Sequence, residues 1–284
     1  MFTSFVSWLK ENPVPAFFVL TFLIAWSLWL PLGFLLPDNP LLSLPGAWAP
    51  TISAIILTGL AEGRSGVRKF LSKLLLWRVG FRWYLVVLFG VAAIAYLAIG
   101  VGVSLGFPVP ALSLPNGLPR EMLIGFLPVI FLINIFMGGP LAEDIGWRGY
   151  ILPKMREGMT ALNASLLIGV IWAIWHLPYF IFPAWRNAVG NIPFLWFALL
   201  TTSWSVLFAW VFVNTESILM PVLFHAAINT TLGTLGVLGQ SNGDLVPLIF
   251  NTLFTWIAVG IIVAVYGQDL KRSNDVYAGQ GSTG

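Results

Sequence analysis

The chain lacks cysteine altogether, which excludes disulfides and thiolate metal sites. It also lacks charge: only 9% of its 284 residues are Asp, Glu, Lys or Arg. A soluble globular domain carries about a quarter. Histidine is limited to two positions, and no polar stretch is long enough to build a separate soluble domain. What remains is apolar. Hydrophobic residues make up 58% of the sequence, with 14 Trp and 22 Phe, and the mean hydropathy is +0.89. Apolar runs of about 20 residues, the length that crosses a bilayer as a helix, recur along the whole chain. The composition therefore predicts an all-α polytopic membrane protein that forms a single integral membrane domain over residues 1–284.

Eight spans are predicted, at 14–36, 45–62, 83–106, 120–142, 161–183, 192–213, 218–238 and 246–267. The first lacks a small-residue cleavage site and reads as a retained anchor. "LPDNPLLSLPG" and "GFPVPALSLPNGLP" are Pro/Gly connectors that stop helices. The membrane core is thus 14–267, and the polar tail 268–284 is expected to be disordered and cytoplasmic. No repeat relates the two halves.

Orientation follows from Lys and Arg. The segment 63–82, "GRSGVRKFLSKLLLWRVGFR", carries Arg64, Arg68, Lys69, Lys73, Arg78 and Arg82. With that segment in the cytoplasm, eight spans place both termini there too. Lys10, Arg148, Lys154, Arg156, Lys271 and Arg272 then join the inside set, against Arg120 and Arg186 outside. Val67, Phe70, Leu71, Leu74 and Leu75 are interleaved among the basic residues at helical spacing, as in an amphipathic helix on an anionic leaflet.

Few polar groups fall at membrane depth, and charges there cost about 2.5–3.5 kcal/mol on insertion scales, so they face the interior and mark function. They are Glu143 and Asp144 in "GGPLAEDIGWRGYILPK", His176 in span five, and His225 with Asn229 in span seven. At about 1.5 Å per residue, Glu143 lies roughly 16 Å from Lys154, His225 about 13 Å from Glu216, and His176 some 20 Å from Asn163. Three helices therefore bring ionisable groups to a similar level, counted from the cytoplasmic side. The site is expected to open to that side. Asp144 and Arg148 are i,i+4 and share a helix face, as do His225 and Asn229. Pro178, Pro221 and the "MGGP" break can free backbone groups beside the cluster. Trp147 and Trp185, near span ends, read as interfacial belt residues.

Two His, a Glu and an Asn suit peptide hydrolysis. A carboxylate can act as general base on a water that His176 helps to hold. His225 and Asn229 can donate to the oxyanion. A metal-bound water is the rival, since His₂Glu with an open position is a known catalytic zinc set, here Glu143, His176 and His225. The spacing does not choose between no cofactor and a divalent metal such as zinc. A proton-coupled carrier using the same buried cluster, or a non-catalytic scaffold or immunity protein, are the alternative functions.

"EDIGWRG", "WAIWHLP" and "FHAAINT" resemble the three motifs of the CAAX protease and bacteriocin-processing (Abi) family of intramembrane endopeptidases, which includes the type II CAAX prenyl endopeptidases. The segment 57–84 is also similar to the family's upstream region. The resemblance implies Glu143 as water-activating base, His176 as its partner on the water, and His225 with Asn229 as oxyanion donors. It implies Arg148 as support for the carboxylates or as a contact to substrate. Asp144 stands where the family has a second Glu, and Trp172 where it has Phe. The implied substrate is a membrane-tethered peptide or protein, cleaved near its C-terminus, with the lipid bilayer as the other partner and no nucleic acid. Neither the substrate's identity nor the oligomeric state is given by the sequence. The implied location is a bacterial or archaeal cell membrane.

Overall fold

The computed structural model describes residues 2–112, 119–186, 189–190, 192–238 and 244–271. Among them every regular element is helical, because a chain crossing lipid must satisfy its backbone groups internally. The protein is an all-α polytopic membrane protein. Among the described residues six helical segments are long and apolar enough to cross a membrane.

A short helix α1 (Phe2–Glu11) precedes α2 (Pro13–Leu35), which starts on Pro13, where a missing N–H costs nothing. α3 (Ala49–Ser72) includes the predicted second span and continues into the basic segment. The junction is Gly63, at φ 68°, a left-handed conformation that side chains resist. Beyond it, Arg64, Arg68 and Lys69 are exposed while Gly66 and Phe70 are buried. α4 (Phe81–Ser104) returns across the bundle, and α5 (Leu123–Met137) has no buried residue.

The predicted fourth and fifth spans are each broken rather than continuous. Gly138 and Gly139 separate α5 from α6 (Pro140–Gly146), which passes into a π-turn at Trp147–Ile151 and ends near Met155. Thr160 caps α7 (Ala161–Trp175) by accepting from the Asn163 N–H. The helix stops at His176, and α8 (Leu177–Ile181) restarts on Pro178. α9 (Phe194–Thr215), α10 (Leu219–Thr234) and α11 (Val246–Tyr266) complete the bundle. α7 and α10, at 15 and 16 residues, are shorter than the spans predicted for them. Residues 113–118 of the second Pro/Gly connector and 272–284 of the tail lie outside the described residues.

Small residues let the inner helices approach closely. A Cβ on Gly169 of α7 would lie 2.5 Å from Thr202 Cα of α9, and a Cβ on Gly146 would collide with the Pro50 backbone of α3. Thr51 of α3 donates its hydroxyl to the Ala142 carbonyl at 2.6 Å, fixing α6 against α3.

Trp147 and Trp185 are not interfacial. Both are completely buried. Trp147 meets Phe17 edge-on at 5.4 Å and Trp175 at 5.9 Å, while Trp185 donates its indole N–H to the Asn39 carbonyl at 3.1 Å. Both sit at span ends that are covered by neighbouring helices instead of lipid headgroups.

The two ends of the bundle are tied by separate bonds. At one end Ile218 N–H donates to Lys73 O (3.1 Å), Leu162 N–H to Gln268 O (2.8 Å) and Asn214 Nδ2 to Leu270 O (2.7 Å). This end carries the basic segment. At the other, Trp29 donates its indole N–H to Ser43 O at 2.6 Å, and Gly190 packs on Leu238.

Candidate active site

The sequence "GGP" shapes the first wall of the site. Gly139 adopts φ 96°, and a Cβ there would collide with the Glu143 carboxylate. Pro140 then starts α6, and Glu143 N–H donates to Gly139 O at 2.8 Å. The carboxylate therefore sits in the first turn of α6, where exposed backbone N–H groups favour negative charge. Its Oε2 accepts a 2.6 Å bond from Trp172 Nε1 on α7.

Asp144 points the other way, into the protein, and is completely buried. Its Oδ1 accepts from Arg148 Nη1 at 2.7 Å, one turn along the same segment. Its Oδ2 lies 3.0 Å from His225 Nδ1 on α10. A carboxylate only accepts, so His225 Nδ1 carries the proton and Nε2 is directed elsewhere. The Arg148 guanidinium is held between the rings of Trp172 and Phe208, 4.5 and 4.4 Å from their centroids. Arg148 is only 1% exposed and belongs to this interior network, not to the surface cations among which its position near a span end placed it. A buried ion pair of this kind is costly to break from either side.

His176 occupies the C-terminus of α7, where its Nδ1 lies 2.9 Å from Trp172 O. The carbonyl can only accept, so Nδ1 donates and Nε2 is left as a bare acceptor. Trp175, Phe197 and Tyr179 surround the ring at 4.8, 5.1 and 5.5 Å. Asn229, one turn beyond His225, donates one amide N–H to Gly138 O at 2.9 Å.

Glu143, Trp172, His176, His225 and Asn229 all line one cavity of about 330 Å³. Asp144 and Arg148 stand behind it. Asn134, Tyr179 and Thr201 are among the wall residues that sequence reasoning missed. Asn134 ties α5 to α10 through a 3.0 Å bond to Thr230 Oγ1. Its sequence signal was a lone amide within an otherwise apolar span. Tyr179 shares a helical turn with His176, an i,i+3 relation that could have flagged it.

The cavity's loop residues are Ser43, Leu44, Val189, Gly190 and Leu238, all from the end opposite the basic segment. The cavity's loop residues and the basic segment therefore lie at opposite ends of the bundle. Counting residues along a helix gives depth, but not the end at which the walls part.

Among the described residues no three His, Asp or Glu side chains converge closely enough to hold a metal ion. The Glu143–His176–His225 ligand set is thus not assembled here. Each of the three is instead engaged by a protein group: an indole, a backbone carbonyl and a carboxylate.

The motif-bearing segment has recognisable relatives. A family model described as type II CAAX prenyl endopeptidase, Rce1-like, matches residues 125–231, which run from α5 through the third motif on α10. CAAX prenyl protease 2 of Methanococcus maripaludis is 26% identical to the chain over 237 residues, covering 79% of this chain and 85% of that protein. Through the segment that holds Glu143, His176, His225 and Asn229, the chain is similar to the Rce1-like family of type II CAAX prenyl endopeptidases.

Proposed function

We propose that the protein is an intramembrane endopeptidase that hydrolyses a peptide bond near the C-terminus of a membrane-tethered peptide or protein, CAAX-like or other. The observation that carries this reading is the division of one cavity between two pairs. Glu143 and His176 come from α6 and the end of α7, and His225 and Asn229 from α10. The similarity to the Rce1-like family supports a protease and a membrane-associated peptide substrate.

A water between Glu143 Oε1 and His176 Nε2 loses its proton to the carboxylate as its oxygen attacks the scissile carbonyl. The resulting oxyanion accepts hydrogen bonds from the free amide N–H of Asn229 and from His225 Nε2. Donation from Nε2 requires a proton on both ring nitrogens, with Nδ1 donating to Asp144 Oδ2. Collapse of the tetrahedral intermediate breaks the C–N bond, and the proton held by Glu143 passes to the leaving amine. The new carboxylate and amine account for the water consumed. Aromatic walls from Trp172, Tyr179 and Phe197 keep bulk water from the reacting atoms.

The test is cleavage of a membrane-tethered reporter by purified protein in lipid, with Glu143→Gln and His176→Ala as variants. Both should insert and fold normally, and the loss of rate for the base is about 10²–10⁴-fold. Full activity in Glu143→Gln sinks the mechanism.

A further inference from the structure

A second cavity, of about 210 Å³, lies between the basic part of α3 and the segment that follows the π-turn. It shares no residue with the catalytic cavity. Its charged walls are Glu62, Lys69 and Lys73 on one side and Lys154 on the other, three cations against one carboxylate. Tyr150, only 8% exposed, lines it from the π-turn. Close packing joins the two sides. A Cβ on Gly149 would fall 2.6 Å from Ile218 Cδ1 and 3.1 Å from the Phe70 ring, and Ile218 N–H donates to Lys73 O at 3.1 Å. The lysines are thus carried on a backbone that is held in place.

Little on these walls competes for the cations. Lys154 Nζ meets Glu157 Oε1 at 3.2 Å, but Glu157 is 68% exposed, and a pair in that setting contributes little. Among the described residues neither Lys69 nor Lys73 forms an ion pair. The surroundings add an apolar surface. Leu75, Leu76 and Trp77 follow Lys73 closely and are all exposed, and the Tyr84 hydroxyl fixes their turn by donating to Trp77 O at 2.6 Å. A ligand here meets cations in a small cavity and bare hydrocarbon beside it. At about 210 Å³ the cavity is smaller than the roughly 300–1,000 Å³ that encloses a whole small molecule. It suits a charged headgroup whose chains stay outside.

We propose that this cavity binds the phosphate headgroup of an anionic phospholipid. Lys69, Lys73 and Lys154 donate charge-assisted hydrogen bonds to the phosphate oxygens, the Tyr150 hydroxyl adds a neutral donor, and the acyl chains run along Leu75, Leu76 and Trp77. Basic pockets between membrane helices recognise lipid headgroups by the same chemistry. The bound lipid bridges α3 and the segment after the π-turn, so it stabilises the basic end of the bundle. Glu62 opposes the anion and holds its affinity down. None of this depends on the endopeptidase reading, because no residue of the catalytic cavity takes part.

Thermal unfolding of the purified full chain in dodecyl maltoside micelles tests this, with phosphatidylglycerol, phosphatidylcholine and inorganic phosphate as separate additives. Phosphatidylglycerol in about hundredfold excess over its Kd should raise Tm saturably by roughly 5–10 °C, and phosphatidylcholine should not. No rise with phosphatidylglycerol, or an equal rise with phosphatidylcholine, overturns the proposal. An equal rise with inorganic phosphate at matched concentration assigns the cavity to a soluble anion and overturns the lipid. The combined variant Lys69→Gln, Lys73→Gln, Lys154→Gln should lose most of the shift, measured from its own lipid-free Tm. Arg64→Gln with Arg68→Gln removes two exposed cations of the same helix that do not line the cavity, and should keep it. Equal losses in the two variants would mean diffuse attraction to a basic surface and overturn the site. Glu62→Gln should enlarge the shift at subsaturating lipid, and a smaller shift contradicts the assignment.

Discussion

Trp172 and Glu143, from different helices, share a 2.6 Å hydrogen bond in which the indole N–H donates to one carboxylate oxygen. The bond fixes the rotation of the carboxylate and leaves Oε1 as the oxygen free to take a proton. Trp172 does more than form an aromatic wall. A Phe at this position, as in the family's pattern, would supply the ring without the donor.

Trp172→Phe should therefore lower kcat with little change in KM. Loss of a hydrogen bond to a charged acceptor is worth about 1.5–3 kcal/mol, and part of that will be recovered by water. A decrease of roughly tenfold is the expected reading in steady-state cleavage. Trp172→Ala should cost more, because it also removes one of the two rings that hold Arg148. An unchanged kcat in Trp172→Phe would show that the donor contributes nothing.

Asp144→Asn should destabilise the protein as well as slow it. Arg148 and His225 both bond to this carboxylate, and removing its charge leaves a buried guanidinium uncompensated. Breaking one partner of a buried pair costs about 3–5 kcal/mol. Thermal unfolding in detergent micelles should record a marked fall in Tm. A Tm equal to that of the unaltered protein would contradict the network.

Gly139→Ala tests the break ahead of α6. The φ of 96° is hostile to a side chain, and the added methyl would displace the Glu143 carboxylate. Left-handed backbone costs an L-residue about 1–2 kcal/mol, so modest destabilisation should accompany a large loss of activity. Gly158→Ala, where an added Cβ meets nothing within 4 Å, is the matched control and should be silent.

Asn229→Ala removes the proposed oxyanion donor together with the bond to Gly138 O. Loss of one such donor lowers kcat by about 10²–10³-fold. Cleavage kinetics should place the loss in kcat. A variant impaired only in KM would assign Asn229 to substrate binding instead.

Much of the site was legible in the sequence, for a physical reason. Polar groups at membrane depth are so costly that Glu143, Asp144, His176, His225 and Asn229 stood out individually, and helical rise placed them at one level. The spans were legible too, although helix breaks at Gly138–Gly139 and at His176 fell inside two of them. Trp147 and Arg148 were misplaced because a Trp or Arg near a span end looks the same whether lipid or another helix covers it. The indole bond to Glu143 and the end at which the cavity opens depend on how helices rotate and splay, which one helix's periodicity does not encode.

The π-turn at Trp147–Ile151 lies between the two ends of the protein. A π-turn accommodates one more residue than an α-turn, so the segments before and after it are out of phase by one position. The phase of Glu143 and Asp144 is set against α7 and α10, whereas that of Pro153 and Lys154 is set against the basic part of α3. The chain thus carries a rotational joint. Sequence changes at the basic end are absorbed there, without turning the carboxylates away from the histidines.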